Sequence, residues 1–278
     1  MKEIKINEIK EIQLEMLKYV KKVCEENNLK YYLCGGTLLG AIRHKGYIPW
    51  DDDIDILMPI DDYKKFLNIQ HEDKGYSLLN PYSYDNYYYV FSKLVDKRTK
   101  LVEFNYPEIE EMGVYIDIFP LFALPNDSKE QKEFVENILN LYNKNFKYYR
   151  TSWYYSENKF KMVAKAILKF PLYIYNKRKN ITENILKLME KYNYEESDYV
   201  GFLLTRYPSE KEITRKEVYR DTVDVEFEGE IFSAAIGYEE YLTSLYGDYM
   251  KLPPVEKQVS HHNFNAYWRE QCMSLLNL

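Results

Sequence analysis

The chain has 278 residues, 46% of them hydrophobic and 29% charged, which is enough to bury one large core. Its formal net charge of −6 excludes a general nucleic-acid binder, because phosphate contacts need a basic surface. Three cysteines, Cys24, Cys34 and Cys272, have no metal-ligand spacing and fit a reducing compartment.

Residues 1–20 alternate charged and apolar residues at helical spacing, unlike a signal peptide. No apolar run reaches the roughly 18 residues of a spanning helix, so a cytoplasmic location is expected. Residues 7–28 predict an amphipathic helix striped by Ile9, Ile12, Leu14, Met16, Leu17, Val20 and Val23. "LKYYLCGG" reads as a short strand ending at Gly35-Gly36, and "TLLGAIRHK" as a helix with Thr37 as its N-cap. "DIDILM" alternates acid and aliphatic residues, the period of a strand. A helix from Asp61 follows, then strands at "YSLLN", "YYVFSKLVD" and "KLVEF". Residues 113–124, "GVYIDIFPLFAL", form an apolar strand interrupted only by Asp117.

Beyond Pro125 the pattern turns helical over 128–150 and 159–191. Residues 222–236 predict a hairpin turning at Glu228-Gly229, and "GYEEYLTSLYGDYM" a short helix. After Pro253-Pro254 the tail carries His261-His262. The expected fold class is therefore α/β, an α+β mixed sheet. Residues 1–125 form the core, and a largely helical region, 126–278, packs on it.

Asp51, Asp52, Asp53 and Asp55 lie between Trp50 and the aliphatic run Ile56–Leu57–Met58. Carboxylates in such company need a cation. On a strand Asp53 and Asp55 share a face, their Cα atoms ~6.5–7 Å apart, which suits a hard divalent ion with oxygen ligands. Asp117 joins them if its strand lies alongside. An EF-hand is excluded, since Ile56 stands where its loop needs glycine. Asp52 reads as a solvated turn residue. Gly35 and Gly36 ahead of a helix let the backbone approach a phosphate. Arg43, His44, Lys93, Asp96 and Arg98 are further candidates around a diphosphate, with Trp50 at its border. An acid-x-acid strand also fits a glycosyltransferase, a plain nucleotidyltransferase releasing pyrophosphate, or a silent nucleotide- or choline-binding module.

"GGTLLGAIRHKGYIPWDDDIDILMP", "FSKLVDKRT", "GVYIDIFPL" and, near the C-terminus, "YGDYMKLPPVEKQVSHH" together resemble the LicD family, and more distantly the fukutin-related sugar-phosphate transferases. The resemblance runs along almost the whole chain and is weakest over 125–220. It implies a nucleotidyltransferase-type core and transfer of a phospho-alcohol, typically phosphocholine from CDP-choline with release of CMP. The acceptor it implies is a sugar hydroxyl of a surface-polysaccharide or teichoic-acid precursor. It implies Mg²⁺, with Mn²⁺ as the alternative, on Asp53 and Asp55, with Asp117 as third carboxylate. Gly35, Gly36 and Thr37 become the phosphate-binding turn. In this scheme Asp117 or Asp51 accepts the hydroxyl proton, and Arg43, His44 and Lys93 offset phosphate charge. His261 either reaches in from the tail or has a capping or surface role. "SAAIGYEEYL" departs from the proline-containing stretch the family has there.

A choline group calls for aromatic faces, and Tyr82, Tyr84, Tyr87, Trp153 and Tyr154 are the candidates. Residues 159–179 carry only positive charges among bulky apolar residues. They suit either a packed helix with a basic edge or a helix lying on an anionic bilayer. The second reading puts the protein at the inner face of the membrane, facing a polyprenol-linked acceptor.

Overall fold

The computed structural model describes residues 1–71, 74–83, 87–104, 106–149, 160–165, 167–168, 181–203, 210–259 and 264–270. After a two-residue strand β1 (Lys2–Glu3), helix α1 (Ile6–Asn27) buries its predicted stripe, including Met16, Leu17 and Val20. It ends at Asn28, in the left-handed region with φ 53°. Next come β2 (Tyr32–Leu33), α2 (Gly35–His44), β3 (Asp55–Pro59), α3 (Ile60–Leu67) and β4 (Tyr76–Leu79). They are followed by β5 (Ser92–Asp96), β6 (Thr99–Glu103) and β7 (Tyr115–Leu124).

The main sheet runs β2-β3-β7-β5-β4 and is mixed: β3 and β7 are parallel, and the other neighbours are antiparallel. Strand β7 is its axis. All ten of its residues are buried, as expected of a central strand covered on both faces. Helix α1 packs on β5 and β7, and α3 packs on β3 and β7.

The second half contains more strand than its sequence pattern predicts. Helices α4 (Ser128–Tyr149) and α5 (Ile181–Met189) pack together. Strand β8 (Tyr199–Gly201) then pairs with the far end of β7 and with β9 (Ile213–Arg215). Strands β10 (Thr222–Phe227) and β11 (Glu230–Ala235) form the expected hairpin, with positive φ at both Glu228 and Gly229. Helix α6 (Tyr238–Tyr246) follows. Strand β12 (Phe264–Trp268), which the sequence pattern does not reveal, is sandwiched between β1 and β6 in a three-stranded sheet. The unforeseen strands β8, β9 and β12 are only three to five residues long, too short for periodicity to stand out.

Helix α2 is held against the loop that follows it by close backbone contact. A methyl group on Gly40 would come within 2.4 Å of the Gly46 carbonyl oxygen. Backbone cannot yield there as a side chain can. Gly40→Ala should therefore lower stability by about 1–3 kcal/mol in urea unfolding; an unchanged midpoint would show that the loop is free to move.

Candidate active site

The pairing of β3 with β7 sets Asp55 directly opposite Asp117, and that of β5 with β7 sets Lys93 opposite Asp117. Three residues from three strands thus form one row on one face of the sheet. Lys93 is buried, and its Nζ donates to Asp117 Oδ1 at 2.6 Å. The same ammonium lies 3.4 Å from the Tyr115 ring centroid and 4.3 Å from that of Tyr89. Two aromatic faces thereby replace part of its lost hydration.

The acidic turn sits at the open end of this row. Strand β3 begins only at Asp55, so Asp51, Asp52 and Asp53 lie in the irregular segment before it. Their carboxylate oxygens come within 4.8 Å of one another. Asp52 is buried, against the expectation of a solvated turn residue, while Asp51, Asp53 and Asp55 are partly exposed. Ile54 and Ile56, between and beyond the acids, are fully buried as alternation requires.

The double glycine is explained by these carboxylates. A methyl on Gly36 would lie 2.4 Å from Asp51 Oδ2, and one on Gly35 would lie 3.4 Å from Asp55 Oδ2. Gly35 also has φ +53°, a conformation side chains resist. That turn starts α2 two residues earlier than predicted, so Thr37 is not the N-cap; Cys34 is. Buried Thr37 lies in the first turn of the helix, and its Oγ1 accepts the Asp55 backbone N–H at 2.8 Å. Gly35 N–H donates to the Tyr241 hydroxyl oxygen at 3.2 Å. The positive end of α2 therefore faces the acids.

Burial first, and then the charges of Asp53, Asp117 and Asp51, push the Asp55 carboxyl well above its ordinary range, with Lys93 opposing them. A set of converging, repelling oxygen ligands of this kind fits a hard divalent ion such as Mg²⁺ or Mn²⁺. Asp53 and Asp55 would hold it, with Asp117 as the third carboxylate; among the described residues the carboxylate oxygens that lie within 4.8 Å of one another are those of Asp51, Asp52 and Asp53.

Several predicted partners stand elsewhere. Asp96 lies on the opposite face of β5 from Lys93, fully buried, and receives the Arg98 guanidinium on both oxygens at 2.5 and 3.0 Å. That pair closes the β5–β6 turn rather than joining the row. Arg43 Nη1 donates to the carbonyl oxygens of Tyr249 and Lys251, at 2.8 and 3.2 Å, and so ties the C-terminal motif to α2. Burial, and then neighbouring Arg43, lower the His44 pKa, which disfavours its charged form. Its ring meets Trp50 edge-on, with centroids 6.4 Å apart. Of the aromatic candidates, Tyr87 is buried, whereas Tyr82 is exposed and donates to Glu190. Tyr84, Trp153, Tyr154 and His261 lie outside the described residues.

Four residues are prominent in the structure but not in the sequence pattern. Gln13, buried in α1, donates from Nε2 to the carbonyl oxygens of Asp52 and Tyr115, both at 3.1 Å, and so fixes the acidic turn to β7. Its signal was a glutamine inside an apolar stripe. Tyr89 and Tyr115 enclose Lys93, and Tyr241 receives the Gly35 N–H.

With this geometry established, the comparisons with known proteins can be set beside it. A family model described as "LicD/FKTN/FKRP, nucleotidyltransferase domain" matches residues 28–180, which include every member of the row and the acidic turn. The lipopolysaccharide cholinephosphotransferase LicD of Haemophilus influenzae is 34% identical over 96% of this chain and 99% of its own length. This chain belongs to the LicD family. It is a LicD-type phosphotransferase. The human and mouse ribitol 5-phosphate transferases FKRP are 27% identical over 45% of this chain, a quarter of their own length. No helix among the described residues of this LicD-family member is long and apolar enough to cross a membrane.

Two substitutions should move stability in opposite directions. Lys93→Met leaves Asp117 buried without its partner and should cost about 3–5 kcal/mol. Asp55→Asn removes repulsion and should stabilise the metal-free protein at neutral pH. Because the folded Asp55 carboxyl is raised, its ionisation penalises the fold as pH rises towards that value. The gain from Asp55→Asn should therefore disappear in acid. Thermal unfolding of both variants at pH 7 and pH 4.5 checks the signs, and a destabilised Asp55→Asn at pH 7 would contradict the repulsion.

Proposed function

We propose that this enzyme transfers phosphocholine from CDP-choline, releasing CMP, to a sugar hydroxyl of a surface glycan precursor such as a teichoic acid or lipopolysaccharide. The observation that carries the reading is the near full-length similarity to a lipopolysaccharide cholinephosphotransferase. The row of Asp55, Asp117 and Lys93 with the acidic turn at its mouth supports it.

In this reading the acceptor hydroxyl oxygen attacks the phosphorus bearing choline, in line with the bond to CMP. The new P–O bond forms as the bond to the CMP oxygen breaks, and CMP departs with the electron pair. A divalent ion held by Asp53 and Asp55, with Asp51 and Asp117 beside them, supplies positive charge to the diphosphate when bound. The chain's own residues do the rest. Lys93 fixes Asp117 through its 2.6 Å ion pair. We assign proton acceptance to Asp51, which is partly exposed and lies against Gly36. The first turn of α2, with Gly36 and Thr37 behind Asp51 and Asp55, positions those carboxylates and offers backbone donors to phosphate oxygens.

CMP release from CDP-choline, followed with and without Mg²⁺, tests the reaction. Asp53→Ala should lower turnover at least ~100-fold, the scale on which a positioned charge acts in a transition state. Retained turnover in that variant would remove the metal role. Pyrophosphate release from a nucleoside triphosphate would make the enzyme a plain nucleotidyltransferase. Preference for CDP-ribitol or CDP-glycerol over CDP-choline would reassign the alcohol.

A further inference from the structure

The helical residues 160–165 and 167–168 present their apolar side outward. Phe160 is 90% exposed, Leu168 76%, Ile167 67% and Val163 54%. At about 100° per residue, Val163, Ile167, Phe160, Ala164 and Leu168 fall within one arc of roughly 140°. Lys161 and Lys165 border that arc, and partly buried Met162 lies roughly opposite its centre. A surface helix ordinarily turns its apolar stripe to the core. This one leaves its apolar residues exposed together with its lysines, and of its described residues only Met162 is partly buried.

Charge identifies the occupant of that face. From 159 to 179 the sequence carries Lys159, Lys161, Lys165, Lys169, Lys177, Arg178 and Lys179 and no acid, in a chain whose net charge is −6. Apolar side chains inserted between lipids, with lysine stems reaching to anionic headgroups, satisfy both features at once. A second copy of the chain would bring like charges together. We propose that the helical residues 160–165 and 167–168 dock this enzyme in the plane of an anionic bilayer surface. Docking would bring the enzyme to the surface that holds a membrane-linked acceptor, which rests on the proposed reaction, but binding to lipid needs neither donor nor turnover.

The test uses the full chain and sucrose-loaded vesicles of phosphatidylcholine alone or mixed with phosphatidylglycerol. The protein should sediment with the mixed vesicles roughly tenfold more than with the neutral ones, and less in high salt. Phe160→Asp combined with Ile167→Asp should abolish sedimentation. Lys161→Glu combined with Lys165→Glu, which spares the apolar arc, should lower it to the neutral-vesicle level. Both double variants should keep the thermal stabilisation that CDP-choline and Mg²⁺ give the parent, which separates lipid binding from the donor site. Wild-type protein left in the supernatant with anionic vesicles would overturn the proposal. So would a dimer in sedimentation velocity that the two aspartates dissociate. Vesicle binding without any response to CDP-choline would instead leave docking intact and remove the proposed donor.

Discussion

Two carboxylates placed opposite each other on adjacent parallel strands repel, and the site is built around that repulsion. At the ~5 Å spacing of neighbouring strands, two unit charges cost about 3 kcal/mol at an effective dielectric of about 20. Lys93 meets one of them, Asp117, from the third strand, and the aromatic faces of Tyr115 and Tyr89 hold Lys93 in turn. Asp55 forms no ion pair with a described residue; the first turn of α2 lies against it, and the charge of Lys93 opposes its repulsion. The acids thus form an uneven set: Asp117 is paired with Lys93 within the fold, while Asp51, Asp53 and Asp55 are partly exposed.

Everything that fixes the acidic turn follows from keeping this unfavourable arrangement in place. Gln13 ties the turn to β7, Thr37 holds the Asp55 backbone, and Tyr241 holds the glycine that starts α2. Arg43 and Lys216 illustrate the same division of labour at the periphery. Each donates to backbone carbonyl oxygens and so fastens segments of the second half. Gly35 and Gly36 are required because carboxylate oxygens occupy the space a side chain would fill. Stability given up at a site in this way is the usual cost of arranging charge for catalysis.

Much of this was legible in the chain itself. The helix α1 stripe, the acid–aliphatic alternation of β3 and the single acid in β7 each state a local preference that the fold keeps. The adjacency of Asp55 and Asp117 was a conditional reading, because strand order is a long-range property that periodicity does not encode. The short strands β8, β9 and β12 were hidden for a related reason: their conformation comes from partners far along the chain. Asp96 and Arg98 were misleading because a sequence shows that opposite charges are near one another, not that they are already bound together. Gln13 was visible only as a polar residue in the wrong place.

The row holds Asp55 in an environment hostile to its charge, which a bound cation would relieve. Carboxyl ¹³C NMR titration of Asp55 measures that directly. In metal-free protein its apparent pKa should lie well above the ordinary carboxylate range, and Mg²⁺ should bring it down. An ordinary value in the metal-free protein, unchanged by Mg²⁺, would contradict the account.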